Sequence, residues 1–136
     1  MFDQLFKMAL EERERQNGEF LPKVNASTYW DKIKNKAEFN VHVVNGEYAG
    51  FVAFYCNNEQ TKESFITLIM VSPEFRGKKI GAGLVDYVLS VSKSRGFSVC
   101  SLEVKKKNKS AISLYQIKGF SISEEREDTF IMKKYL

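Results

Sequence analysis

The chain is 136 residues long, 43% hydrophobic and 13% aromatic, and carries a net charge of +4 from 21 basic and 17 acidic side chains. That is enough apolar material for one domain over residues 1–136, burying roughly two-thirds of its unfolded surface. No apolar run approaches the ~20 residues of a membrane span, and the interrupted apolar start followed by the charged run 11–15 lacks the core of a secretory signal, so a cytoplasmic location without membrane contact is expected.

Residues 2–16 read as an amphipathic helix, with Phe2, Leu5, Phe6, Ala9 and Leu10 at three- and four-residue spacing and Gly18 as its stop. Residues 19–26, with Pro22, read as a loop. Ser27 or Thr28 could cap a second helix running to about residue 36, with Tyr29, Trp30 and Ile33 turned inward. The period then becomes two. Phe39, Val41 and Val43 alternate along a strand, Asn45-Gly46 is a strong hairpin signal because both turn positions need positive φ, and a return strand covers 47–56. Residues 65–71 form a third strand, apolar on both faces and so central to its sheet. A helix from Ile80 ends at Gly96, a strand covers 97–104, a short helix covers 110–118, and strands at 120–124 and 129–134 close the chain. Strand, helix and strand in succession make the 65–71 and 97–104 strands parallel neighbours or near-neighbours. The element order reads ααββββαβαββ, with room for a weak extra strand in 18–26, and the class is a mixed α/β or α+β sheet.

The most informative stretch is 71–84. An apolar strand stops at a Pro-containing turn, a loop presents Arg76, Gly77, Lys78 and Lys79, and a helix opens at Ile80 with Gly81 and Gly83 in its first turn. Unpaired amides at a helix start, the positive end of its dipole and glycines that permit close approach make an anion cradle suited to phosphate. Cys56 and Cys100 sit inside β-like apolar stretches and read as buried, reduced thiols; with a single histidine, His42, and no CxxC pair, no metal site is expected. The basic runs 76–79 and 105–109 lack interleaved aromatics, so nucleic acid is not expected as a partner. His42 reads as a surface strand residue, and Phe51, Phe54 and Tyr55 as core packing. Trp30 and Tyr29 read as staples of the second helix to the sheet, with the lining of a ligand mouth as the alternative.

The loop Arg76-Gly-Lys-Lys-Ile-Gly81, followed by Leu102-Glu103-Val104, Asn108, Ala111, Tyr115 and Gly119-Phe120, resembles the GNAT superfamily of N-acetyltransferases over residue 39 to the C-terminus. The loop pattern R/Q-x-x-G-x-G/A alone is weak; its combination with Asn-x-x-Ala-x-x-x-Tyr-x-x-x-Gly-Phe at this distance is specific. Lys79 stands where the pattern usually has glycine, so the backbone there either approaches a ligand less closely or takes a different dihedral. The resemblance implies a twisted, mostly antiparallel sheet flanked by helices, whose central parallel strands splay to form an acetyl-CoA cleft. It implies that main-chain groups of Ile69 and Val71 pair with the pantetheine arm, that the amides of Arg76, Gly77, Lys78, Lys79, Gly81 and Ala82 hold the pyrophosphate, and that Asn108 bonds the arm.

Transfer of an acyl group from a thioester to an amine requires a neutral amine, a donor for the developing oxyanion and a proton for the departing thiolate. Tyr115, a phenol on the short helix after Asn108, is the candidate acid; packing on an apolar face with Ala111 and Leu114 is its alternative role. Glu103, a carboxylate within an apolar strand, is the candidate base, with ordinary solvent-facing alternation as its alternative. Thr67 occupies the place where many members carry a glutamate, so a base from that position is absent; Asp86, Glu63 or a water chain remain open. The oxyanion donor is expected to be the Val71 amide. Lysines 105, 106, 107 and 109 read as a solvated loop before a contact to the coenzyme's 3′-phosphate. No Ser/His/Asp or Cys/His nucleophile set is evident, which favours direct attack in a ternary complex on acetyl-CoA by a primary amine, a small molecule ahead of a protein. The alternatives are a non-catalytic acyl-CoA sensor and, more remotely, a nucleic-acid binder. The edge of the C-terminal hairpin could pair with a twofold mate in a homodimer.

Overall fold

The computed structural model describes residues 1–18, 20–22 and 25–136. Along the chain run α1 (Phe2–Arg15), α2 (Ala26–Lys36), β1 (Glu38–Val44), β2 (Glu47–Tyr55), β3 (Glu63–Val71), a 3-10 turn (Pro73–Phe75), α3 (Ile80–Ser94), β4 (Val99–Lys105), α4 (Lys109–Ile117), β5 (Ser121–Glu125) and β6 (Thr129–Tyr135). Among the described residues three strands, not four, precede α3. No strand forms among the described residues of 18–26; the remainder of the expected loop there, Glu19, Lys23 and Val24, lies outside the described residues. The second helix also starts earlier than Ser27 or Thr28 would dictate. Asn25 occupies its N-cap in a left-handed conformation (φ 60°) and supplies no side-chain cap, a backbone state that asparagine tolerates better than most residues.

The six strands form one sheet in the order β1-β2-β3-β4-β6-β5. Asn45 (φ 49°) and Gly46 (φ 82°) make the two-residue turn between β1 and β2, as positive φ at both positions requires. All neighbours are antiparallel except β3 and β4, which are joined by the α3 crossover and run parallel. β3 is central, as its two-sided apolar character predicts, and β5 is an edge strand with every residue exposed.

Two cores lie on opposite faces. α3 and α4 cover one, where Ile80, Leu84, Val85 and Val88 pack against Val52, Phe54, Ile66, Cys100 and Leu102. α1 and α2 cover the other over β1–β3, where Leu5, Ala9, Trp30 and Ile33 meet Phe51, Ala53, Leu68 and Met70. Trp30 stacks on Phe6 at 5.1 Å and meets Phe39 and Phe51 edge-on; it staples the helices to the sheet. Phe51 and Phe54 are core residues, and His42 is exposed on the edge strand β1.

β3 serves both cores because of one extra residue. Ala53 pairs with Leu68 but its neighbour Phe54 pairs with Ile66, which leaves Thr67 in a bulge. A bulge resets the two-residue alternation. Ile66 therefore points to the α3 core while Leu68 and Met70 point to the α1/α2 core.

Candidate active site

The bulge coincides with the place where the sheet opens. β3 and β4 are paired from Glu63–Val99 to Ile66–Leu102 and no further, although β3 runs on to Val71 and β4 to Lys105. Between the diverging halves lies a cleft of about 460 Å³. Its β3 wall is 65–69 and its β4 wall 102–105; Asn108 and Tyr115 close one side, and Gln16, Phe20, Pro22 and Tyr29 the other.

Main-chain direction follows from the ladder. Ser72 N donates to Ala49 O at 2.8 Å, and bonded positions alternate in an antiparallel pair. Met70 and Leu68 therefore direct their main-chain groups to β2, while Ile69 and Val71 turn theirs toward the gap. One of those groups is already engaged. Arg76 Nε donates to Val71 O at 3.1 Å, so of the two groups on Val71 it is the N–H that remains for a ligand.

Residues 76–82 lie beyond the cleft, past the end of β3. Gly77 adopts φ 80°. Lys79 is the N-cap of α3 with φ 64° and ψ 20°, and no side chain caps this helix end. Its first-turn amides are therefore left without partners. Lys79 thus keeps the left-handed backbone state that glycine would supply, at a cost of about 1–2 kcal/mol. Gly81 lies beneath Val71 and Leu114: a Cβ there would meet their side chains at 3.8 and 3.6 Å.

Tyr115 is 6% exposed, its ring 5.9 Å from that of Phe120, and its hydroxyl has no partner among the described residues. Because it also lines the cleft, the phenol is a free donor at the gap. Burial pushes its pKa up to about 12, so it stays protonated at any physiological pH. Glu103 lies across the cleft at the point where pairing with β3 has ended. Its carboxylate accepts from Thr129 Oγ1 at 2.6 Å and from Arg126 at 3.5 Å. Asn108 is the N-cap of α4, its Oδ1 accepting from Ala111 N at 3.3 Å; its amide donors are left for a ligand in the cleft. Tyr29 takes the alternative role weighed for it and lines the cleft. Its hydroxyl donates to the bulge carbonyl of Thr67 at 3.0 Å and lies 2.8 Å from Thr67 Oγ1.

The structure thus brings Tyr115, Glu103, Asn108 and Ile69 to one cleft, with Val71 and the 76–82 loop continuing from its end. Asp86 and Glu63 lie elsewhere: Asp86 pairs with Lys118 at 3.0 Å, and Glu63 accepts from Ser101 at 2.6 Å, with neither lining the cleft. Lys106 is held by Glu125 at 2.7 Å, whereas Lys105 lines the cleft. Thr129, Gln16 and Phe20 were not anticipated, since they reach the cleft from elements distant in sequence. Glu12 was also passed over. It is 4% exposed, and its spacing after Leu5 and Ala9 (i, i+4, i+7) was the signal that this carboxylate faces inward. No cluster of His, Cys, Asp and Glu that could hold a metal ion occurs among the described residues.

A gap in a sheet bordered by unpaired main chain, continued by an uncapped helix start, suits an extended, amide-bearing arm that ends in phosphates. The model of the acetyltransferase (GNAT) family matches residues 2–120; the chain belongs to this family. An N-acetyltransferase of Methanocaldococcus jannaschii is 37% identical over 102 residues, covering 72% of this chain and 44% of that protein. The [ribosomal protein bS18]-alanine N-acetyltransferase of Escherichia coli is 29% identical over 98 residues, covering 65% of this chain and 64% of that protein. The chain therefore spans less than two-thirds of the length of these relatives. Among solved structures, the PaiA N-acetyltransferase of Thermoplasma acidophilum in complex with coenzyme A superimposes with a TM-score of 0.81 at 20% identity, over 99% of this chain and 92% of that one. No helix among the described residues is long and apolar enough to cross a membrane.

Proposed function

We propose that residues 1–136 form a single catalytic domain that transfers an acetyl group from acetyl-CoA to a primary amine by direct attack in a ternary complex. The observation that carries this reading is the Tyr115 hydroxyl: its ring is buried, but the oxygen opens on the cleft that Ile69 also lines and has no protein partner among the described residues. A phenol whose ring is packed and whose oxygen opens on a gap is placed to donate to whatever enters it. The coenzyme supplies a thioester activated toward amines. The gap-facing main chain of Ile69 pairs with its arm, the one free main-chain group of Val71, its N–H, meets the acyl carbonyl that the arm carries, Asn108 donates to the arm, and the amides of Arg76, Gly77, Lys78, Lys79, Gly81 and Ala82 bind its phosphates.

The chain's residues then divide the proton work. The Val71 N–H donates to the carbonyl oxygen as negative charge develops there. Glu103, directly or through a water, takes the proton that the amine must lose as its nitrogen bonds to the acyl carbon. Tyr115 gives its proton to the sulfur as the carbon–sulfur bond breaks, and solvent restores it. The reaction is placed in the cytoplasm, consistent with two buried, reduced cysteines.

A small-molecule amine is the favoured acceptor. The second reading is a protein α-amine, favoured by the acceptor named for the E. coli relative. A thiol-release screen with acetyl-CoA separates them: polyamines, amino sugars and amino acids form one arm and alanine-initiated peptides the other. Tyr115→Phe should lower kcat by about 10²-fold while leaving coenzyme affinity, measured by calorimetry, within about threefold. Coenzyme binding with no release on any amine would instead support a non-catalytic sensor, and unchanged turnover in Tyr115→Phe would overturn the acid assignment.

A further inference from the structure

The most heavily bonded carboxylate in the described structure plays no part in the chemistry above. Glu12, on α1, is 4% exposed. Its Oε1 accepts from Arg15 Nε at 2.9 Å and from an Arg76 terminal nitrogen at 2.8 Å, and its Oε2 accepts from Gln16 at 2.7 Å. Burial alone would raise its pKa, but hydrogen bonds from Gln16 and Arg15 and the charges of Arg76 and Arg15 outweigh it and hold the carboxyl below its ordinary range. A buried charge of this kind is tolerated only when fully paired.

Arg76 is the informative partner. It stands 64 positions away in sequence, at the head of the 76–82 loop. While one terminal nitrogen meets Glu12, its Nε meets Val71 O. The peptide between Val71 and Ser72 is consequently fixed at both polar groups, its oxygen by Arg76 and its nitrogen by Ala49 O. This is the peptide at which β3 ends and the loop begins. An arginine free to swing could place its charge on a bound phosphate or in solvent, and would release Val71 O. Held by Glu12, it can do neither.

We propose that Glu12 is a positioning residue for coenzyme binding: through Arg76 it fixes the end of β3 and the entry to the phosphate loop before the ligand arrives. The inference rests on the acetyl-CoA reading of the site and adds a role for α1, which reaches the head of the 76–82 loop through this bridge. Preorganisation of this kind appears in affinity more than in the chemical step. Arg15 serves as a control, because it bonds the same carboxylate but does not reach the loop.

Glu12→Gln removes the charge at nearly constant shape. It should raise the KM for acetyl-CoA and the calorimetric Kd for coenzyme A by about five- to tenfold, with kcat within about twofold. In the ligand-free protein it should speed amide hydrogen exchange across 71–79. Arg15→Ala should leave all of these within about twofold. Arg76→Met should weaken coenzyme A comparably, and the double variant Glu12→Gln/Arg76→Met should be no worse than Arg76→Met alone, because the two act through one bridge. Should Glu12→Gln fail to fold, the half-exposed Arg76→Met alone still tests the bridge through the exchange rates. Unchanged affinity and unchanged exchange in folded Glu12→Gln, or additive losses in the double variant, would overturn the inference. If the wild-type protein bound no coenzyme A, the functional reading would fail, while the exchange measurement would still decide whether Glu12 orders the loop.

Discussion

The two strands that border the cleft contribute in opposite currencies. β3 offers the gap main chain: Ile69 and Val71 face it with backbone groups, while the side chains of Leu68 and Met70 are spent on the α1/α2 core. β4 offers side chains: Leu102 and Val104 anchor it in the α3 core, Glu103 faces outward beside Thr129, and the following turn delivers Asn108 and Tyr115. Recognition by backbone depends on shape and tolerates change in residue type. Recognition and proton transfer by side chains depend on identity and tolerate little.

Breaking the shape side should have the largest effect. Leu68→Ala would empty a buried position that the bulge turns to the α1/α2 core, whereas deleting Thr67 would leave Ile66 and Leu68 adjacent and alternating onto the same two faces. Losing a large buried apolar side chain costs about 2–5 kcal/mol, so Leu68→Ala should lower the urea midpoint steeply, while the deletion, which keeps these faces, should still unfold cooperatively. A Leu68→Ala variant melting within a few degrees of wild type, or a Thr67 deletion that abolished folding, would show that this register is not what assigns the strand to its two cores.

A titration sharpens the identity side. The folded-state pKa of Tyr115 is raised from 10 to about 12 by burial, so the folded protein holds this proton more tightly than the unfolded chain. The associated stability is fully present below pH 10 and is lost as pH climbs from 10 to 12, by about 2–3 kcal/mol in total. The stability of wild type relative to Tyr115→Phe, from urea titrations at pH 8 and pH 11, should therefore fall at the higher pH. A constant difference would mean that the phenol ionises without a burial penalty.

The smallest effect concerns Lys79. Lys79→Ala and Lys79→Gly both remove the charge, but only glycine relieves the left-handed backbone. The glycine variant should be the more stable of the two by about 1 kcal/mol, read from thermal denaturation. Equal stabilities would mean that this turn relaxes to another conformation in solution.

How far the sequence could be read follows the same division. That Glu103, Asn108 and Tyr115 line one cleft was legible because they belong to one family pattern and one strand and one helix fix their spacing. The loop and helix start at 76–82 were legible through Gly77 and Gly81, and the hairpin through Asn45-Gly46. Neither the bulge at Thr67 nor the resulting switch of cores was visible, since an apolar strand buried on both faces carries no alternation to break. The element order ααββββαβαββ held one strand more before α3 than the three named ranges, from Phe39, over 47–56 and over 65–71, which are the three observed. The rest of the cleft lining escaped because Gln16, Phe20 and Thr129 converge only through tertiary structure. Glu12 lay within an apparent charged run, where the eye assigns solvent and the helical period assigns core.

Only four residue pairs, Glu63–Val99 to Ile66–Leu102, stitch one three-stranded plate of the sheet to the other. A seam that short is a point of local breathing, and opening it would bare strand edges to proteases. A molecule lodged in the slit would bind only the closed form; at a hundred times its Kd it would add about 2.7 kcal/mol of stability by mass action. The lifetime of this protein in a cell would then track the supply of the molecule it uses.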